Sequence, residues 1–228
     1  MNTPKKIIIA GDSAFAEIAY EYFTHDSDHE VVAFTVDRAY LKRTEIFGCP
    51  VVPFEDLERH YAPADHSFYA AGTYTKLNRL RTRFKNEAKA RGYRLASYVS
   101  SKAFVWRNVK VGEHVFIFEN NVVQPFCSIG DNVVLWSGNH IGHHSTIEDD
   151  VFIASHVVVS GFCTIGASSF LGVNVTVANN VSIGRDSLIG AGATVLKDTK
   201  PGLLFGAKAT EAHATKDARS YFGVAEGE

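Results

Sequence analysis

Four of the ten histidines in this 228-residue sequence fall within residues 139–156, NHIGHHSTIEDDVFIASH. Imidazoles at that density suit two kinds of chemistry. Three that converge, alone or with carboxylates, hold zinc in a tetrahedral shell. One that faces a cleft acts as a general base near neutral pH, because an unperturbed imidazole titrates at about 6.5. A third reading needs no chemistry: the histidines are surface or interface residues of a repetitive scaffold. The choice rests on where His140, His143, His144 and His156 point, and the surrounding elements decide that.

Those elements change character along the chain. Up to about residue 95 the pattern is α/β. KKIIIAG is an apolar run of strand length stopped by Gly11, and SAFAEIAYEYFTH carries apolar residues at helical spacing behind a candidate N-cap, Ser13. EVVAFTVD, CPVVPF and HSFYAAG read as strands, PFEDLERHYA as a short helix and TKLNRLRTRFKNEAKARG as a basic amphipathic helix. Strands alternating with helices predict a parallel sheet. From Val99 to Val195 every sixth residue is Val, Ile or Leu, seventeen positions in step. The residue four places later is usually small or β-branched, as at Val115, Cys127, Ser145, Cys163 and Val181. This hexapeptide repeat is a β-solenoid signature.

The repeat resembles that of left-handed parallel β-helix proteins, which fold three hexapeptides into each triangular coil. With the strand–glycine–helix start before it, the chain resembles the nucleotide-sugar acyltransferases related to sialic acid O-acetyltransferase and bacillosamine N-acetyltransferase, over about residues 5–207. The expected fold is an α/β N-terminal half-Rossmann domain (1–97), a left-handed parallel β-helix acyltransferase domain (98–207) and a C-terminal tail (208–228).

Coil arithmetic then aims the side chains. Residues eighteen apart stack on neighbouring coils roughly 4.8 Å apart. Cys127 and Cys163 are two coils apart and interior, too far for a disulfide, so they read as core. Asn121 and Asn139 are interior neighbours and read as an amide ladder. His144 lies between Phe126 and Phe162 in an aromatic column, and His143 lies between Pro125 and Gly161, with open space expected above it. Zinc is disfavoured: β-helix carbonic anhydrases place two zinc histidines five apart, and Ser145 stands five after His140, with Asp150 two coils after His114. No metal is expected. The resemblance places the catalytic base at His143, in IGHHST, and puts His144 where the family has an acidic residue. Ser137, Asn139 or a carboxylate from a neighbouring subunit is a candidate to substitute for that acid. A second family histidine, near the acyl carbonyl, aligns with Phe152.

By position, the resemblance implies that Gly161, Val173 and Ala191 line the pantetheine of acetyl-CoA, with Lys197 or Lys208 near its phosphates. In the α/β half, Gly11, Asp12 and Ser13 form a helix N-terminus suited to a phosphate, and Asp37 ends the second strand where an acid binds base or ribose. An NAD-binding domain is the competing local reading. The net charge of −2 gives no electrostatic case for nucleic acid or an anionic membrane. The starting apolar run is too short for a signal peptide or membrane span, and three cysteines without a CxxC point to the cytoplasm. The resulting expectation is an acetyl-CoA-dependent N-acetyltransferase acting on a nucleotide-linked amino sugar, serving bacterial surface glycan (O-antigen, capsule or glycoprotein) biosynthesis as a homotrimer. The alternatives are a sugar O-acetyltransferase and a non-enzymatic nucleotide-sensing scaffold. Large outward aromatics, Phe116, Phe118, Trp136 and Phe152, must be covered by partner subunits or by the α/β half.

Overall fold

The structure is a computed structural model that describes residues 5–206 together with 211, 212, 214, 215 and 217–224. The run KKIIIA forms β1 (Lys5–Ala10), and Ile7, Ile8 and Ile9 are all fully buried, as a central parallel strand requires. Helix α1 (Ala14–His25) follows, burying Phe15, Ala16, Ala19 and Phe23. Ser13 caps it through its carbonyl, which accepts the N–H groups of Ala16 and Glu17; its hydroxyl makes no capping bond. The remaining strands are β2 (His29–Val36), β3 (Glu45–Ile46), β4 (Cys49–Pro53), β5 (Ser67–Ala70) and β6 (Arg94–Leu95), in the order β3-β4-β2-β1-β5-β6. Every pairing is parallel except β3–β4. That hairpin turns through Phe47 and Gly48, both at positive φ, the signature of a tight two-residue turn.

PFEDLERHYA supplies only a 3-10 turn and α2 (Leu57–His60). The basic helix α3 (Arg79–Ala90) starts later than its sequence pattern, because Lys76, Leu77 and Asn78 are all left-handed, with φ of 51°, 51° and 68°. The buried Asn78 explains that turn: its amide donates to the Ser169 carbonyl of the solenoid.

From Tyr98 onward the chain winds a three-sided prism of two-residue parallel strands. The first face stacks seven strands from Tyr98–Val99 to Leu204–Phe205, the second six from Phe104–Val105 to Thr194–Val195, and the third five from Lys110–Val111 to Ser182–Ile183. Pairing runs in steps of eighteen, as in Val122↔His140↔Val158. Every aliphatic repeat position from Ile117 to Val195 is buried, whereas Val99 and Val111 lie on the open first coil and stay exposed. The corners turn through residues of left-handed φ, between 57° and 66° at the non-glycine positions from His114 to Asp186. Asn, Asp and Gly take that conformation at least cost.

The α/β part covers the first face. Phe15 of α1 meets Phe116, Phe118 and Trp136 at ring-centroid distances of 5.7, 6.0 and 5.2 Å. The Tyr22 hydroxyl donates to Glu119 at 2.6 Å. Phe116, Phe118 and Phe152 are therefore buried, and Trp136 half-buried, within one chain. A polar seam runs beside them. The fully buried Arg81 donates to the side-chain and main-chain oxygens of Asn132, both at 2.9 Å. His114 accepts the Ala70 N–H at Nε2 (2.8 Å), so its Nδ1 carries the proton and donates to Asn132 Oδ1 (2.8 Å). Burial and the nearby Arg81 guanidinium push His114 down to about 3, so it is neutral; burial lowers Arg81 to about 10, leaving it charged at neutral pH. Among the described residues no helix is long and apolar enough to cross a membrane.

Candidate active site

His143 and His144 occupy the corner between the second and third faces, across the prism from the face that the α/β part covers. The His143 N–H donates to Gln124 Oε1 of the preceding coil (2.9 Å), and its carbonyl accepts from Phe162 of the following one. His144 turns the corner at φ 59°. Its ring is sandwiched between Phe126 and Phe162, with centroids 4.6 and 4.8 Å away and planes 27° and 17° apart. Phe126 and Phe162 are themselves left-handed, a costly conformation for phenylalanine that the aromatic column helps to offset. The two residues stay 61% and 54% exposed. The two imidazoles meet edge to face, with Nδ1 atoms 3.2 Å apart.

Above His143, Gly161 acts differently from the expectation. The space over it is taken by the imidazole itself: a Cβ at residue 161 would lie 2.8 Å from His143 Cε1. The Gly161 N–H donates to Asn179 Oδ1 at 2.8 Å, so it is not free to serve as an oxyanion donor.

Asn139 is not at the surface. It is 1% exposed, its amide nitrogen donates to the Trp136 carbonyl and its oxygen accepts from Val157 N–H, so it orders a corner from inside. The amide ladder is also corrected: Asn121 donates to the carbonyls of Phe118 and Trp136, and its oxygen has no partner among the described residues, because both amides serve the main chain rather than each other. Cys127 and Cys163 are buried, and burial raises both thiols, which disfavours a thiolate. His140 projects from the second face in register with Val122 and Val158. His156 turns the first–second corner, its ring against Gly138, where a Cβ would lie 2.6 Å from it. Phe152 is stacked between Trp136 and Phe170 under the α/β part, away from the His143 corner.

Of the cofactor candidates, Gly161 and Lys197 lie at the second–third corner, whereas the exposed Val173 and Ala191 stack at the first–second corner, one face away. One chain does not bring them together. Lys208 lies outside the described residues. Beside His143 the outward positions on successive coils are Gly142, Ser160 and Ala178, a lane without large side chains. Among the described residues no group of three or more His, Cys, Asp or Glu is placed to hold a metal ion.

The second cluster lies at the carboxyl ends of the parallel strands. The chain leaves β1 toward β2 on one side and returns as β5 on the other. That reversal opens a crevice where such sheets take ligands. Gly11 (φ 124°) begins it, and only glycine fits: a Cβ would lie 3.1 Å from the Ala71 carbonyl oxygen. Asp12 and Ser13 follow, and Asp37 closes the end of β2 with its carboxylate accepting from Arg83 at 2.6 Å. Sequence reading missed three contributors. Arg83 holds Asp37, Arg43 reaches Glu17 (2.7 Å) and the Asp12 carbonyl, and the loop after β5 brings Tyr74, which leans on Phe170 with centroids 4.5 Å apart. The glycine after a strand at Gly72 was the available signal for that loop.

Comparisons with known proteins bear on this geometry. Residues 108–141, 127–161 and 162–197 match the family described as bacterial transferase hexapeptide (six repeats). Comparison with curated proteins returned no match. Among solved structures, a mutant of perosamine N-acetyltransferase from Caulobacter crescentus, in complex with CoA and GDP-perosamine, is 24% identical, with a TM-score of 0.81 over 89% of this chain and 93% of that one. The acetyltransferase domain of PglB from Neisseria gonorrhoeae, in complex with acetyl coenzyme A, is 21% identical, with a TM-score of 0.80 over 90% and 97%. WeeI from Acinetobacter baumannii is 21% identical, with a TM-score of 0.67 over 87% and 94%. The fold is therefore that of these proteins: an α/β part joined to a left-handed β-helix of hexapeptide repeats.

Proposed function

We propose that the protein transfers the acetyl group of acetyl-CoA to the amine of a nucleotide-linked sugar. The observation that carries this reading is His143: an exposed imidazole at a solenoid corner, its Nδ1 engaged by His144 and a lane of small residues beside it. The bound CoA and GDP-perosamine named for the Caulobacter protein, on the same fold, support it. His143 Nε2 takes a proton from the acceptor amine as the nitrogen adds to the thioester carbonyl carbon. The carbon–sulfur bond breaks, and the imidazolium returns the proton to the departing thiolate, giving an amide and a free thiol. Gly11, Asp12, Ser13 and Asp37 hold the nucleotide; Gly161 and Lys197 of one chain, with Val173 and Ala191 of a neighbour, flank the pantetheine chain and phosphates.

The crevice and His143 lie on opposite sides of one prism, so the sugar held by one chain serves the His143 of a neighbour. We read the assembly as a trimer, working in the cytoplasm in the synthesis of a bacterial surface glycan. The exposed apolar residues Phe104, Trp106 and Val158 on the second face, which the α/β part leaves bare, fit that assembly.

The test incubates the protein with acetyl-CoA and a panel of nucleotide amino sugars, GDP-perosamine among them, and follows the gain of one acetyl group by mass spectrometry. Acetylation of one sugar is expected. His143→Ala is expected to lower kcat by roughly 10²–10⁴ and to remove the acid limb of the pH profile. No acetyl gain on any sugar, with no acetyl-CoA binding, would turn the reading to a nucleotide-sensing scaffold.

A further inference from the structure

Among the described residues of the chain, none brings a carboxylate to the corner that carries His143. The segments packed against the pair bring Gln124, Pro125 and Phe126 from the coil before and Ser160, Gly161 and Phe162 from the coil after, and none of these titrates. His140 and Glu148 lie on the same coil, on the second and third faces, and Arg107 lies two coils before in the His143 column. The group in hydrogen-bond contact with the His143 ring is another imidazole.

We propose that His144 is the positioning residue for His143: its Nδ1 accepts the Nδ1–H of His143 and thereby leaves the Nε2 of His143 bare for the acceptor amine. This rests on the reading of His143 as the base. Two nitrogens 3.2 Å apart share one hydrogen between them, so one ring donates and the other accepts. The tautomer of an imidazole is set by the bond its other nitrogen makes. If His144 donated, His143 would carry its proton on Nε2 and have no lone pair to offer there. Once His143 has taken a proton, both its nitrogens are donors, and only an accepting His144 keeps the contact. The arrangement in which His144 accepts is thus the one that survives the chemical step.

Packing fixes His144 for this task. Both faces of its ring are covered, by Phe126 and Phe162, so it cannot flip away without breaking two stacks. Phe162 also meets the His143 ring edge to face, at 5.0 Å and 86°, and thereby sets the angle between the two imidazoles. The aromatic column, which reads as filler in one dimension, is a clamp on the acceptor nitrogen.

The test reads the tautomer directly, without substrate. In full-length protein carrying ring-¹⁵N histidine, a multiple-bond ¹H–¹⁵N spectrum at pH 8 is expected to show His143, identified by its loss in His143→Ala, as the Nδ1–H tautomer. In His144→Phe, which keeps the aromatic column, His143 is expected to shift toward Nε2–H. An Nε2–H tautomer in the wild type, or a spectrum of His143 unchanged in His144→Phe, overturns the proposal. With the sugar acetylated in the screen, His144→Phe is expected to lower kcat about tenfold, the worth of one hydrogen bond to a charged group, with KM for acetyl-CoA unchanged. His144→Glu is expected to restore kcat and move the acid limb to higher pH, because a carboxylate favours the imidazolium. If His143→Ala keeps the wild-type rate, the base reading fails whatever the tautomer. If His143→Ala loses the rate while His144→Phe keeps both rate and tautomer, only the role of His144 fails.

Discussion

His114 ties the two halves of the chain together, and its environment makes stability depend on pH in a calculable way. Its Nε2 faces the Ala70 N–H, so a second proton on the ring would set two donors against each other beside the buried Arg81 guanidinium. The folded chain holds His114 near 3, whereas an unfolded histidine titrates near 6.5. A histidine whose folded value is depressed contributes stability above its unfolded value and loses it as pH falls through the window from about 6.5 to 3. Between pH 7.5 and 5.0 the loss is RT ln(1 + 10^1.5), about 2 kcal/mol. The perturbation is His114→Ala, which leaves the Ala70 N–H unpaired, opens a cavity and removes the titration. At pH 7.5 it is expected to cost about 3 kcal/mol. At pH 5.0 the gap to wild type narrows to about 1 kcal/mol, because only the wild type suffers the proton uptake on unfolding. Urea denaturation of both proteins at one fixed concentration and a series of pH values measures the gap. His29, also depressed by burial, is common to both proteins and cancels. A gap that stays constant from pH 7.5 to 5.0 refutes the account of His114 as a neutral buried acceptor.

Three further outcomes follow from the geometry. Gly161→Ala places a Cβ 2.8 Å from His143 Cε1 and displaces the ring, so kcat is expected to fall roughly tenfold or more while the melting temperature moves little; an unchanged kcat would show that the ring position is unimportant. Asp37→Ala frees Arg83 and is expected to raise KM for the nucleotide sugar several-fold while leaving that for acetyl-CoA unchanged, and equal effects on both would detach Asp37 from the nucleotide. Multi-angle light scattering at micromolar concentration is expected to give three times the 25.0 kDa chain mass, and a monomer would remove the shared site.

The solenoid was legible because its rule is one-dimensional: six residues fix inside from outside, and eighteen fix the neighbour. That rule places the Phe126–His144–Phe162 column and the interior cysteines from the sequence alone. It could not say which hydrogen bond a polar group chooses. Asn139 and Asn121 were correctly put inside, yet their amides went to main-chain carbonyls, and the Gly161 N–H went to Asn179, because rotamers are settled by contacts across coils and not by period. In the α/β part the strands with continuous apolar runs were readable. The two-residue β3 and β6 carry too few residues for any period, and the delayed start of α3 depends on Asn78 meeting Ser169, ninety-one residues away. Arg81 and Arg83 sat in a helix read as merely basic; one is the buried tie to the prism and the other the partner of Asp37, and nothing in their local spacing told them from their exposed neighbours.

The left-handed corners also make the chain length of the prism discontinuous. Remove one residue at Asn120 and every later side chain slides by one slot. The left-handed positions now held by Phe126, His144, Asp150 and Ser168 would pass to Cys127, Ser145, Val151 and Ser169, and the core slots of Ile129, Ile141, Ile165 and Ile183 would all pass to glycines. The interior would be hollow and a β-branched residue would be forced into φ > 0. Insertions or deletions of six residues keep the inside–outside pattern but rotate each side chain to another face. Only a step of eighteen keeps both, and it moves the His143 corner by one strand spacing, roughly 4.8 Å, along the prism relative to the crevice. Loops of the α/β part carry no such restriction, so single-residue length differences among homologues should collect before Tyr98, and the distance from nucleotide to base should vary among them only in whole coils.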